Sequence, residues 1–581
     1  MKKIEHLQLE KAQATLSKRK ATNRMTTFLV PSVSYIYRCT INFNPKLRIP
    51  DGVLMGETGK SRGGRDFYKF WCIPYGKQER FEPSEPADPW EGILDATECD
   101  KTCVQTGMAD MGMTFSMGTD TEDCLILNVF IPAGMDPRVG LLPVMFYIHG
   151  GYFHLGSGLH YSGELLLDEN IVYVSINYRL GAFGFLTSGD GILESNLGLK
   201  DMILALEWVQ KNIRFFGGDP NRVTIFGESA GSGAVGFLVL SPLAKGLFNY
   251  AIGMSGTTMS PWSYQSFPQD TFLKYVTEIN CTAPTTEESV LCLKNKTAEE
   301  LVAICQKTKW FVELVHPLFP AIEWIPPRKS KIFLPDHPRR MLAEGNFNYV
   351  PYMTGVCEDE GAFQGVLVVN DEDFIHDVNY KWNIVGGTAI GVDYRNISKA
   401  NLNKGLRKLR RYYFDDEDVS PVLVQNLTDM FSDAWFIHSM DYAARHHAKH
   451  APMYIYVFVK KGAMRFSEFI AGKTLNRSVV SHGEDLQYMF FKGFTTSLKD
   501  ETFSTRYIKL WVSFAYDGKP TGTWGPDKTW PTVPPDMMDY PVYLLDDEPR
   551  VVPNPFKDRA AMWEDLISNE WNEMAYQEGF S

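Results

Sequence analysis

The chain has 581 residues, 44% hydrophobic and 22% charged, and carries a net charge of −12. A chain of that length and composition folds around a sizeable core, and its acidic balance argues against a nucleic-acid or anionic-membrane partner, since binding phosphate needs a positive field. No apolar run approaches the roughly 18 residues of a membrane-crossing helix, so no membrane span is expected.

Residues 1–45 read as a disordered leader. The basic, polar stretch MKKIEHLQLEKAQATLSKRK is not followed by the apolar run of a signal peptide, and the short segment Phe28-Leu-Val is broken by Pro31. From residue 46 to 575, short apolar runs alternate with helical patterns. This is the arrangement of an α/β protein with a large, mixed, mostly parallel sheet flanked by helices. Pro143–Ile148 and Ile171–Ile176 are apolar almost throughout, as strands buried on both faces are. Asn196–Phe215 reads as a helix, with Met202, Leu206, Val209 and Ile213 on one face, and Gly217-Gly-Asp-Pro220 ends it. The strand Arg222–Phe226 runs straight into Gly227-Glu-Ser-Ala-Gly231, and a helical pattern then continues to Leu240. Tyr250–Met254, Val350–Gly355 and Met453–Phe458 are further strands, and residues 371–450 form a charged, helical insertion. No Pro-, Gly- or Ser-rich linker divides the chain, so one domain over 46–575 is expected.

Nine cysteines leave at least one without a partner within the chain, and no Cys/His grouping has zinc spacing. No metal or organic cofactor is implied. Five Asn-x-Ser/Thr sequons, at Asn280, Asn295, Asn396, Asn426 and Asn476, favour a secreted glycoprotein. The leader points the other way, and the compartment stays open between secreted and cytoplasmic.

The chemistry sits at Gly227-Glu228-Ser229-Ala230-Gly231. A strand before and a helix after make this pattern a nucleophile elbow, in which flanking glycines permit a strained turn that lifts the serine hydroxyl clear of the backbone. A serine hydroxyl is a weak nucleophile at neutral pH and needs a base, which in turn needs an acid to hold its tautomer. In chain order the acid and then a histidine should follow. The segment Glu358-Asp359-Glu360-Gly361 after a strand, and His482-Gly483 later, supply them.

These features resemble the carboxylesterase/cholinesterase family (type B carboxylesterases), most closely its arthropod esterases, over residues 50–570. The markers are Ile73-Pro-Tyr-Gly76, Glu122-Asp-Cys-Leu-Ile-Leu-Asn128, His149-Gly-Gly151, Asn177-Tyr-Arg-Leu-Gly181, Gly217-Gly-Asp-Pro220, Phe226–Gly231 and Leu510-Trp-Val-Ser-Phe-Ala515. The resemblance implies an α/β-hydrolase fold and a serine carboxylesterase acting on a small uncharged ester. It makes Ser229 the nucleophile, His482 the base and Glu360 the acid, with Glu358 and Asp359 as solvated bystanders. It assigns the oxyanion hole to the N–H groups of Gly151, Tyr152 and Ala230, and places Glu228 and Ser255 behind the triad. It pairs Cys103 with Cys124 and Cys281 with Cys292, each bridge worth roughly 3 kcal/mol, and leaves Cys39, Cys72, Cys99, Cys305 and Cys357 free or cross-paired.

Three departures from the family stand out. Tyr152 occupies a position where many relatives carry a small residue, so its ring should narrow the gorge or alter the loop. The segment Tyr75–Phe81 is shorter than in relatives, which leaves its packing against the N-terminal sheet open. Thr114 replaces the tryptophan over which cholinesterases hold their cation. With Glu228 before the serine, where juvenile-hormone esterases usually have Gln, these features imply a general carboxylesterase. Its rivals are a narrow hormone or pheromone esterase and a non-catalytic, neuroligin-like adhesion protein. The oligomeric state is not implied.

Overall fold

The computed structural model describes residues 44–571 apart from 106–117, 136–139, 306–307, 310–312, 315–316, 363, 366–368, 370–371, 392–396, 466–467, 469–478, 492, 496 and 528. The expected leader, Thr114, Cys39 and the sequons at Asn396 and Asn476 therefore lie outside the described residues, apart from the leader's last two positions. Eleven strands form one sheet: β1 Glu57–Lys60, β2 Asp66–Pro74, β3 Ile126–Pro132, β4 Leu142–Ile148, β5 Val172–Ile176, β6 Gly218–Glu228, β7 Tyr250–Met254, β8 Tyr352–Cys357, β9 Met453–Phe458, β10 Pro541–Leu545 and β11 Arg550–Pro553. Their order is β1-β2-β3-β5-β4-β6-β7-β8-β9-β10-β11. From β5 to β10 every pairing is parallel, and the pairings at both edges are antiparallel.

Alternate residues of a strand face opposite sides of a sheet, and both sides of this one are apolar. Val144, Phe146 and Ile148 join the core on one face, and Met145 and Tyr147 join the core on the other. The first face is covered by α1 (Leu197–Asn212) and α2 (Ala230–Leu240), the second by α5 (Leu498–Asp517). Met202, Leu206, Val209 and Ile213 are fully buried, as their spacing predicts. The predicted helix over 196–215 is in fact α helix to Asn212 and 3-10 helix over Ile213–Phe216. Asn196 stays outside because it sits at φ 61°, its side chain exchanging two hydrogen bonds with the backbone of Ala321.

Residues between β8 and β9 build the helical insertion, which includes α3 (Val424–Ser432) and α4 (His438–His447), joined by one π-helical turn over Asp433–Ile437. The short Tyr75–Phe81 segment packs firmly: Tyr75 is buried and donates to Asn177 O at 2.7 Å, while Arg80 pairs with Glu122. The disulfides are Cys103–Cys124, Cys281–Cys292 and a third, Cys72–Cys99, whose Cα atoms are 5.5 Å apart; Cys357 is free and buried. Among the described residues no helix is long and apolar enough to cross a membrane.

Candidate active site

The parallel register brings the carboxyl ends of four strands level. Ile148 of β4 pairs with Gly227 of β6, Glu228 with Met254 of β7, and Met254 with Gly355 of β8. The strand order reverses at β4, which lies between β5 and β6, and such a switch point opens a crevice beyond the strand ends. Most of the predicted site residues leave the sheet at this end: Gly151 and Tyr152 after β4, Ser229 and Ala230 after β6, Ser255 after β7 and Glu360 after β8.

Ser229 stands between β6 and α2 at φ 59°, ψ −123°, a conformation other than helix or strand, and its N–H donates to Met254 O at 2.9 Å. Only glycine fits beside it. A Cβ on Gly231 would lie 2.1 Å from Ile148 O, and one on Gly227 would lie 2.6 Å from the Gly231 backbone. Turns strained this way cost about 1–3 kcal/mol and persist where the surroundings over-determine them. Ser229 Oγ has no hydrogen-bond partner among the described residues; such bonds are often long before substrate arrives.

Glu360 is fully buried. Its Oε1 accepts the Cys357 N–H at 2.7 Å, and its Oε2 accepts His482 Nδ1–H at 2.7 Å, which assigns Nδ1 as the donor of that bond. Gly361 must be glycine because a Cβ there would meet Thr428 O of α3 at 2.5 Å. The structure corrects the expectation for Asp359. Far from being a solvated bystander, it exchanges two hydrogen bonds with Val480: its N–H donates to Val480 O at 3.0 Å and its Oδ2 accepts Val480 N–H at 3.2 Å. It thereby anchors the loop that carries His482. Glu358 is exposed, as expected.

His482 Nε2 lies 3.2 Å from Glu228 Oε1, and the imidazole keeps 22% of its surface. Burial pushes the Glu228 carboxyl up to about 8; the His482 charge opposes this, and the negative charges of Asp485 and Glu360 add to it. Burial alone would lower His482, but Glu228 and Glu360 outweigh it and raise the imidazole to about 9. Ser255 is buried at φ 58°, with its N–H on Gly355 O at 2.9 Å.

Among the described residues, the N–H groups of Gly151, Tyr152 and Ala230 make no hydrogen bond within the protein. Gly151 sits at φ 108° and Tyr152 at φ 62°. The Asn177-Tyr178-Arg179 motif explains how this loop is held. Asn177 Oδ1 accepts from Ser157 Oγ and Gly158 N–H, both at 2.9 Å. Tyr178 donates to His149 O at 2.9 Å and stacks on the His149 ring at 4.4 Å. Arg179 makes a buried two-point ion pair with Asp201, at 2.7 and 2.8 Å. Burial lowers His149 to about 3, so this ring is neutral and its Nδ1–H donates to Gly150 O.

Sequence reasoning missed one part of the site, a wall of aromatic rings. Phe436 lies 4.8 Å from the His482 ring and 5.5 Å from Trp262, and Trp262, Phe319 and Trp435 surround Tyr152. The π turn that carries Trp435 and Phe436 is pinned by buried Asp433, which accepts from Arg559 Nε at 2.8 Å and from Tyr413 OH at 2.5 Å. Among the described residues no cluster of His, Cys, Asp or Glu is arranged to hold a metal ion.

A doubly wound sheet with a strained serine turn, a carboxylate-held histidine and free N–H groups at one crevice defines an α/β-hydrolase. Residues 44–563 match the model of the carboxylesterase family. The chain is 34% identical over 502 residues to esterase FE4 of Myzus persicae, covering 83% of this chain and 86% of that one. It is 31% identical over 545 residues to the acetylcholinesterase of Danio rerio, covering 83% of each. Its fold is similar to the crystal structure of juvenile hormone esterase from Manduca sexta with OTFP covalently attached: the TM-score is 0.80 at 26% identity, covering 90% of this chain and 100% of that one. The chain belongs to the carboxylesterase family and is a carboxylic ester hydrolase.

Proposed function

We propose that Ser229, His482 and Glu360 carry out a two-step acyl transfer on uncharged carboxylic esters, within a single catalytic domain over residues 46–575. The observation that carries the reading is the 2.7 Å bond from His482 Nδ1 to buried Glu360, with Nε2 3.2 Å from Glu228, the residue next to Ser229 in the elbow. Ser229 Oγ attacks the ester carbonyl while His482 Nε2 takes its proton. The N–H groups of Gly151, Tyr152 and Ala230 receive the negative oxygen of the tetrahedral intermediate, the largest single contribution in sites of this type. The imidazolium, stabilised by Glu360, gives its proton to the departing alcohol. Water then attacks the acyl-enzyme by the same route and releases the acid. Glu228, 3.2 Å from Nε2, strengthens the imidazole's hold on the proton, and Ser255 supports the turn from behind.

The preference for uncharged esters rests on the family resemblance, which sets Thr114 at the sequence position where cholinesterases place a tryptophan. A quaternary ammonium entering without that face loses a cation–π contact of about 2 kcal/mol and its hydration besides. The test compares acetylcholine with its neutral isostere 3,3-dimethylbutyl acetate. The isostere should show a kcat/KM higher by at least about tenfold, equivalent to 1.4 kcal/mol. An enzyme that prefers acetylcholine overturns the preference for uncharged esters.

A further inference from the structure

We infer that Tyr152 sets the size limit of the substrate: its ring fills an aromatic chamber beside the reacting carbonyl, so that esters with a small group on that side are accepted and bulky ones are turned away. The inference rests on the assignment of Ser229 as nucleophile. The backbone of Tyr152 belongs to the loop that meets the elbow. A Cβ on neighbouring Gly150 would lie 3.0 Å from Ser229 Cβ, so a side chain starting two residues further along is close to any acyl group held there. Tyr152 and Phe153 both hold positive φ, 62° and 60°, where glycine is the usual occupant. A bulky ring is thus kept at a position whose backbone favours no side chain at all.

The ring stands among three others. It stacks on Trp262 with centroids 6.1 Å apart, meets the edge of Phe319 at 5.6 Å, and lies 6.5 Å from Trp435. The same wall reaches the reacting groups. A Cβ on Gly256 would touch both Ser229 O and the Trp262 ring at 2.7 Å, and Phe436 joins Trp262 to the His482 ring. Trp262, Phe319, Trp435 and Phe436 are each less than 5% exposed, whereas Tyr152 is only half-buried, and its hydroxyl has no partner among the described residues. Tyr152 is therefore the ring that presents itself to the crevice while the other four form the chamber behind it. Cutting it back to Cβ opens a space walled by rigid aromatic faces, which collapse little when a neighbour is removed. The opened chamber is apolar and would take a flat or branched hydrocarbon group.

The experiment compares wild type, Tyr152→Ala and Tyr152→Phe in the full chain, with active sites counted by a fluorophosphonate label. Two ester families are used: p-nitrophenyl acetate, butyrate and benzoate vary the acyl group, and ethyl, benzyl and diphenylmethyl acetate vary the alcohol. Within one family, Tyr152→Ala should raise the kcat/KM ratio of the bulkiest to the smallest ester by at least about tenfold, the scale on which a hydrophobic pocket discriminates size. The responding family shows which half of the ester faces the ring, and Tyr152→Phe should keep the wild-type ratio. Ratios unchanged in both families, raised equally in both, or altered as much by Tyr152→Phe overturn the inference. If Tyr152→Ala does not fold, Tyr152→Leu serves in its place, with the same direction expected. Label found away from Ser229 in the wild type would defeat the underlying assignment instead, and unchanged ratios with Ser229 labelled defeat this inference alone.

Discussion

Replacing Glu228 with glutamine removes the ionisable carboxyl nearest the reactive nitrogen of His482 and preserves the side chain's shape. Oε1 is 3.2 Å from Nε2, and at an effective dielectric constant of about 20 a full ion pair at that distance is worth about 5 kcal/mol. Only part of that attraction is realised, because burial holds Glu228 at about 8 and the carboxyl is mostly neutral at pH 7. The sign follows from the base's task. His482 accepts the serine proton only when neutral, and its raised value, about 9, keeps it protonated to higher pH and sets the acid limb of kcat/KM high. Without Glu228 the imidazole retains Glu360 alone, so the limb should move to lower pH by at least about one unit, equivalent to about 1.4 kcal/mol. The assay is kcat/KM for a p-nitrophenyl ester across roughly pH 5 to 10, where the acid limb reports the free enzyme's base. A limb that stays in place or moves upward refutes the claim that Glu228 tunes His482.

Two further substitutions test the supports of the site. Glu360→Gln keeps an acceptor for the Cys357 N–H but removes the charge behind the imidazolium, so kcat should fall by about 10⁴-fold. Glu358→Gln, exposed, should change kcat little, and Asp359→Asn should be mild because an amide oxygen can still accept the Val480 N–H; a crippled Asp359→Asn would place the acid one residue earlier. Arg559→Met leaves Asp433 buried without its counter-charge and with only the Tyr413 hydroxyl to hold it, which should cost at least about 3 kcal/mol in denaturant unfolding and slow turnover by loosening the turn under Phe436. A loss below about 1 kcal/mol would show that this ion pair does not hold the turn.

Ser229 was legible in the sequence because its signal is local: strand, glycine, serine, glycine and helix are contiguous, and only that turn explains the two glycines. The alternating burial of β4 and the face of α1 were legible for the same reason. Glu360 and His482 were placed by resemblance, since nothing in Glu358-Asp359-Glu360 alone says which carboxylate turns inward. That choice depends on the pairing of Asp359 with Val480, across 121 residues of chain. The aromatic wall could not be read at all. Phe319, Trp435 and Phe436 have no pattern of their own: the β7–β8 connection brings Phe319 to Tyr152, and the helical insertion between β8 and β9 brings Trp435 to Tyr152 and Phe436 to His482. Cys72–Cys99 was missed because five cysteines outside the expected pairs leave the connectivity undetermined until β2 fixes the position of Cys72.

The central claim is that Ser229 forms the covalent bond to substrate, and the most direct measurement is the site of an active-site-directed adduct. Treated with a fluorophosphonate, the full chain should gain the mass of one phosphonyl group as esterase activity disappears. Peptide mapping should place that mass within Gly227-Glu-Ser-Ala-Gly231, and Ser229→Ala should take up none and hydrolyse no ester. An adduct on any other residue, or ester turnover that survives in Ser229→Ala, would contradict the account.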